Sequence, residues 1–282
     1  MKVLVILHLY YEEQLGWFLD KLAHIHGCDW DLLLTGPSFS ETSISAIRAF
    51  KPDARFLACE NVGYDVWPFL RAFQEISPDD YDWVLKLHTK GNTGSHKIRI
   101  NGTHLTGFMW RDILVDALLA DDARWDEVLN ACSRPECGMV CSRKLYARLG
   151  FKEDHSLLDD ELTRIGLRTD ERRFCIGTMF MLRCSLLKAL PLQSFRAEDF
   201  PRESASNSGG TLAHTYERVL SLLAPAQGYE VVTTGSDAAF ERKQRFRHIT
   251  KPVLDFLFSI DRKGEEGRKY LTILGIQIPL SK

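Results

Sequence analysis

Residues 3–7, Val-Leu-Val-Ile-Leu, form an uninterrupted apolar run near the start of the chain. A short run without polar alternation suits a strand buried on both faces of a parallel sheet. The period then changes. Leu15, Phe18, Leu19 and Leu22 recur at helical spacing, and Gly27 ends the pattern. Residues 30–34 read as a second strand, and Ile44, Ile47 and Phe50 mark a short helix. A third strand starts at residues 56–58 and leads to Asn61. Val66, Phe69, Leu70, Phe73 and Ile76 then form one apolar helical stripe, followed by a fourth strand over residues 84–88. This alternation predicts a parallel sheet with right-handed crossovers.

The second half is less regular. Residues 91–107 are rich in Gly, Thr, Asn and basic side chains and read as a long loop, a kind of segment that is often functional. Trp110, Ile113, Leu114, Ala117 and Leu118 mark a helix, with another around residues 125–129. A strand is expected at residues 139–141, a polar irregular insertion over 145–173, and a strand over 175–182. A helix is expected from Leu186 and a polar loop over 197–210. A helix from Thr211 carries Leu212, Tyr216, Val219, Leu220 and Leu223, and residues 230–233 form the last strand. In the tail, Arg242, Lys243, Arg245, Arg247 and Lys251 precede an apolar stretch over 253–258. Two readings stand for this segment: a basic amphipathic helix on an anionic membrane surface, or a helix packed back on the domain. The expected division is 1–239, with a nucleotide-binding half over 1–92 and an acceptor half over 93–239, and then the tail over 240–282.

Composition narrows the function classes. The apolar fraction of 45% and charged fraction of 26% are those of an ordinary globular protein, and a net charge of −2 gives no case for nucleic acid. The first apolar run is too short for a signal peptide, and no stretch has the length of a membrane-spanning helix. Seven scattered cysteines suit reduced thiols and a cytoplasmic setting. Cys137 and Cys141 fall on one face of a strand without a second pair at zinc spacing, so no metal site is expected from them.

The candidate chemistry gathers near residues 61–92. Lys86, His88 and Lys90 alternate along a strand and so share a face. A row of cations beside a helix N-terminus is a seat for a diphosphate. Asn61, Gly63 and Asp65 precede that helix. Gly63 permits close approach or a positive φ, and Asp65 suits either a ribose or base contact or a helix N-cap. His8 and Tyr10 follow the first strand, whose carboxyl end is where open α/β sheets bind ligands, and Tyr10 could stack on a base. Gly177 and Thr178 mark a close approach to a ligand or a neighbouring helix. His214, Glu217 and Arg218 share the helix face opposite the leucines.

The segments His8-Leu9-Tyr10-Tyr11, Asn61-Val62-Gly63 with Asp65 and Pro68-Phe69, and Lys86-Leu87-His88-Thr89-Lys90 occur in order. They are followed by Trp110-Arg111, Gly177-Thr178-Met179-Phe180, and Gly210-Thr211-Leu212-Ala213-His214 with Glu217-Arg218. Together they resemble the rhamnan synthesis protein F family of bacterial polysaccharide enzymes over roughly residues 1–234. The resemblance implies a GT-A-like α/β fold with a mostly parallel central sheet flanked by helices, here with a C-terminal helical tail. It implies an inverting transfer of a sugar, such as rhamnose or another deoxyhexose, from a nucleotide-sugar donor to a glycan or lipid-linked acceptor. The donor would meet His8, Tyr10, Asn61, Gly63, Asp65, Lys86, Gly177 and Thr178. His88 and Lys90 would stabilise the leaving group, and Glu217, then His214, is the candidate base.

Many GT-A enzymes hold a divalent metal with an Asp-x-Asp pair near the fourth strand. Here that place reads Lys-Leu-His-Thr-Lys, so metal-independent transfer is expected. Cytoplasmic residence is expected, with the tail as a peripheral contact to the inner membrane. One departure from the family's pattern stands out: Gly209 occupies a position where an acidic residue is expected. The rival reading is therefore a non-catalytic nucleotide-sugar or glycan-binding module. A metal-dependent hydrolase is disfavoured by the lack of a His/Asp cluster.

Overall fold

A computed structural model describes residues 1–91, 98–100, 103–148, 156–200 and 211–235, and three strands within 258–279. The chain divides into Met1–Gly235 and Ser236–Lys282. The larger unit holds a seven-stranded sheet. Its strands are β1 (Lys2–His8), β2 (Asp29–Gly36), β3 (Arg55–Ala58) and β4 (Trp83–His88), then β7 (Cys137–Ser142), β10 (Phe180–Arg183) and β11 (Glu230–Thr234). Two hairpins complete the numbering: β5 (Ile98–Ile100) with β6 (Thr103–Leu105), and β8 (Tyr146–Arg148) with β9 (Arg173–Cys175).

The order across the sheet is β11-β7-β10-β4-β1-β2-β3. Pairs β1/β2, β1/β4, β2/β3 and β7/β11 are parallel, and β10 runs antiparallel between β4 and β7. The sheet is thus mostly parallel, as expected. After β1 the chain builds β2 and β3 on one side, then crosses to place β4 on the other. The switch point of the sheet therefore lies between β1 and β4, where His8 and His88 are register partners.

Helices α1 (Leu15–Leu22), α2 (Glu41–Phe50), α3 (Val66–Glu75), α4 (Gly107–Leu119), α5 (Asp122–Cys132), α6 (Ser156–Arg164) and α7 (Leu212–Ala226) flank the sheet. The stripe predicted for α3 is buried at Val66, Phe69, Leu70 and Phe73, and the chain turns extended at Ile76. Apolar runs in β1 and β4 are buried on both faces, which matches helices covering both sides. All seven cysteines are free, and all but Cys28 are buried.

Four segments differ from the sequence expectation. Residues 91–107 include the β5–β6 hairpin rather than loop alone. Residues 145–173 contribute strand β8 and helix α6. That helix is fixed to α7 by Glu161, which accepts from Arg164 Nε at 2.7 Å and from the Tyr216 hydroxyl. Its two buried leucines lie among many polar positions, which hid the helix from a periodicity reading. Residues 175–182 are not one strand. The chain leaves β9, turns at Gly177 and Thr178 with positive φ, and enters β10 in the main sheet. The helix expected from Leu186 starts earlier, as the 3-10 helix Cys184–Ala189.

In the second unit the described residues form strands β12 (Phe258–Lys263), β13 (Arg268–Ile273) and β14 (Ile276–Pro279), an antiparallel meander in place of the expected helix. Polar and apolar residues alternate at period two there, which favours strands. The basic cluster before residue 258 and Gly209 both lie outside the described residues. Among the described residues no helix is long and apolar enough to cross a membrane.

The turn into α3 is set by Gly63. Its φ of +61° is left-handed, and a Cβ there would stand 2.8 Å from Phe200 Cβ and 2.9 Å from Trp67 Cβ. Gly63→Ala therefore combines left-handed strain with overpacking and should cost roughly 2–4 kcal/mol. Urea unfolding checks this: an unchanged midpoint would mean that Phe200 moves freely to admit the methyl group.

Candidate functional site

The carboxyl ends of β1 and β4 and the loop after β3 converge on a cleft of about 360 Å³. It is lined by His8, Tyr10, Tyr11, Asn61, Tyr64, Asp65, His88, Thr89, Lys90 and Gly91. Six of the residues expected at the site therefore meet: His8, Tyr10, Asn61, Asp65, His88 and Lys90. Thr89 ties two of the segments together, because its hydroxyl accepts from the Tyr10 and Tyr11 amides at 3.1 Å each. A second clamp holds the far end of β4. Gln14 Nε2 donates to the Lys90 carbonyl at 2.8 Å, and Gln14 Oε1 accepts from buried Arg111 at 3.1 Å.

Beneath the cleft lies a buried ionic cluster. Asp65 sits at the N-cap position of α3, yet its side chain caps nothing. It turns instead into the sheet, where its Oδ2 accepts from Lys86 Nζ and from the Thr178 hydroxyl at 2.5 Å. Lys86 donates further to the Thr178 carbonyl and hydroxyl at 3.1 Å each, so all three of its protons are used. Lys86 is 1% exposed, so it is no solvated surface lysine and no free partner for a diphosphate. Burial pushes the Asp65 carboxyl up, but the cations Lys86 and Lys90 override it and hold Asp65 well below the usual carboxylate range.

His88 is 3% exposed, and neither of its ring nitrogens has a hydrogen-bond partner. Its Nδ1 comes within 3.3 Å of Asp65 Oδ2, but that oxygen already accepts from Lys86 and Thr178, so this approach is electrostatic only. Burial drives the His88 imidazole well below its ordinary pKa. Burial likewise lowers His8 to about 4, aided by Lys86 and opposed by Asp65 and a Thr35 contact. Both histidines are neutral at pH 7. The expected row of three cations is thus corrected: Lys86 is paired and His88 is uncharged, which leaves Lys90 as the free cation among the described cleft residues.

Lys90 makes no ion pair or hydrogen bond through its ammonium among the described residues; it lies 3.8 Å from the centre of the Trp110 ring. Burial lowers its pKa, while Asp65 and Glu217 raise it. Gly177 acts at one remove. A Cβ there would fall 2.6 Å from Trp110 Nε1, so the close approach is to α4. Gly63 likewise faces Phe200 and Trp67, and Thr178 belongs to the floor. His214 and Glu217 project from α7. The His214 ring meets Tyr64 edge-on at 5.8 Å. Glu217 makes no hydrogen bond among the described residues, and burial and Asp65 raise its pKa against His214, Lys90 and Arg218.

Sequence reading passed over Tyr11, Gln14, Tyr64 and Trp110 as site residues. Tyr64 was detectable as an aromatic side chain in a polar turn between Gly63 and Asp65. Among the described residues no group of three or more His, Cys, Asp or Glu side chains is placed to hold a metal ion.

The model of the family described as rhamnan synthesis protein F matches residues 1–229. The chain belongs to that family, as the motifs implied. Two proteins from strains of Xanthomonas campestris pv. campestris, each named uncharacterized protein WxcX, are 28% identical over 244 and 245 residues. Each match takes in 81% of this chain and 32% of the relative, so the chain spans about a third of their length. Among solved structures, S. aureus TarS 1-349 is similar at 11% identity and a TM-score of 0.44, covering 90% of this chain and 66% of that one. The mannosyltransferase PcManGT from Pyrobaculum calidifontis, in complex with GDP-Man and Mn2+, is similar at 13% identity and a TM-score of 0.41, covering 88% and 61%. At such scores the likeness bears on neither activity nor substrate.

Removing one partner of the buried pair exposes its energetics. Lys86→Ala leaves Asp65 buried without its cation and should cost about 3–5 kcal/mol, whereas Lys86→Met with Asp65→Asn should cost less. Equal losses in denaturant titrations would show that packing, not charge, dominates there.

The histidines give a signed pH dependence. Between the folded value of about 4 and the unfolded value of about 6.5, His8 binds a proton only in the unfolded chain. Stability should therefore fall as pH is lowered through that window, by on the order of 3 kcal/mol for His8 alone, with His88 acting in the same direction. Urea titrations at pH 7 and pH 4.5 measure it. His8→Asn should flatten the slope, and an unaltered slope would remove His8 from the account.

Proposed function

We propose that the chain is a glycosyltransferase domain that binds a nucleotide-sugar donor in the cleft between β1 and β4. On this reading it passes the sugar to a glycan or lipid-linked acceptor with inversion. The observation that carries the reading is buried His88, with two unbonded ring nitrogens, beside the Lys90 ammonium, which is unpaired among the described residues. Buried polar groups without partners point to a ligand that supplies them.

The acceptor hydroxyl oxygen forms a bond to the anomeric carbon as the bond from that carbon to the diphosphate breaks. The hydroxyl proton passes to Glu217, whose raised proton affinity suits a base. The electron pair leaves with the diphosphate, where Lys90 meets it with charge and His88 with a neutral N–H. Asp65 is the carboxylate in the cleft lining, and Lys86 and Thr178 engage it, so the donor set favours transfer without a metal. The family supports a role in rhamnan-type polysaccharide synthesis, and rhamnose or another deoxyhexose is the proposed sugar.

Thermal shift against UDP, GDP and dTDP and their sugars tests the reading. Stabilisation should persist in excess chelator. A strict Mg²⁺ or Mn²⁺ requirement would overturn the metal-free part. With the donor found, Lys90→Ala should slow transfer by about 10²–10³-fold, and Glu217→Gln by about 10²–10⁴-fold with donor binding retained. Binding without any turnover of sugar nucleotide would favour the non-catalytic module instead.

A further inference from the structure

Tyr64 is a tyrosine in a left-handed backbone conformation, with φ of +55° directly after Gly63 at +61°. A bulky side chain rarely adopts that region, and such strain persists where surrounding structure enforces it. The enforcement is visible: Gly63 is wedged against Phe200 and Trp67, and Asp65 is drawn inward by Lys86 and Thr178. Between these anchors the Tyr64 ring leaves the core and meets His214 edge-on at 5.8 Å. Its side chain is not used as core, since the residue is 52% exposed and lines the cleft.

The neighbours define what would lie against it. Tyr10, 43% exposed, lines the same cleft, and the Asn61 amide donates to the Tyr10 hydroxyl at 3.4 Å. Two accessible aromatic rings near a side-chain amide provide a stacking face and edge-reading groups for a flat heterocycle. Buried His88, unbonded in the same cleft, independently points to a ligand there.

We propose that Tyr64 is a stacking platform for the nucleobase of the ligand, held in place by its left-handed backbone. This rests on the nucleotide-site reading above and adds the residue that contacts the base. In GT-A terms the diphosphate contacts would remain with Lys90 and His88.

The test uses the full chain with Tyr64→Gly and Tyr64→Phe, and titration calorimetry with UDP, GDP, dTDP and inorganic pyrophosphate. Glycine relieves the strain and removes the ring, so Tyr64→Gly should melt no lower than wild type yet bind the nucleoside diphosphate about tenfold more weakly. Tyr64→Phe should keep wild-type affinity, and pyrophosphate affinity should be alike in all three proteins. Wild-type nucleotide affinity in Tyr64→Gly, or an equal loss for pyrophosphate, overturns the platform while leaving the nucleotide site standing. If wild type binds none of the three nucleotides, the nucleotide site itself falls and the platform with it.

Discussion

The pairing of Lys86 with Asp65 in the middle of the sheet fixes most of what surrounds it. Both groups are removed from water, where an unpaired charge would be very costly. The pair is tolerated because Thr178 completes its hydrogen bonding: its hydroxyl donates to Asp65 and accepts from Lys86, and its carbonyl takes a further Lys86 proton. Three remote segments, 65, 86 and 178, are thereby locked together. The positive φ of Thr178 and the left-handed turn before Asp65 both serve this closure. An N-cap bond for α3 is given up, at a cost of about 1 kcal/mol in a typical helix.

The same pair sets the charge of the cleft. Because Asp65 is already neutralised by Lys86, it does not rescue the protonated state of His88, and burial leaves that ring neutral. A neutral imidazole can both donate and accept, which a cation cannot. The cleft lining therefore carries a positive charge at Lys90 and a neutral imidazole at His88.

The fold was largely legible where one period ruled a segment. The runs in β1 and β4 and the stripe of α3 each follow a single pattern, and the βαβα order follows from them. Lys86 was misplaced for a specific reason. Alternation along a strand tells which residues share a face, but in a sheet covered on both sides neither face is solvent. Only the tertiary partner, 21 residues away in Asp65, explains a buried lysine in that strand. The strand expected over 175–182 takes in most of β10, but the turn at Gly177 and Thr178 that separates β10 from β9 was hidden within that run. The left-handed backbone of Tyr64 was hidden because the identity of the residue argues against such an angle.

The surroundings of the Lys90 ammonium determine how strongly its charge acts. At about 4 Å, a unit charge acts on another with roughly 1 kcal/mol in water but about 4 kcal/mol at an effective dielectric of 20. Lys90 is half-buried and pairs with no counter-ion among the described residues. Its ammonium rests on the Trp110 face, an attraction that orders the side chain without neutralising it. Trp110 in turn is fixed by its indole N–H, which donates to the Ile176 carbonyl at 3.1 Å, and by the room that Gly177 leaves for it. Gln14 and Arg111 hold the backbone of Lys90 from the other side. The charge is thus positioned by an aromatic ring, a glycine and a buried amide, none of which is an anion that would neutralise it.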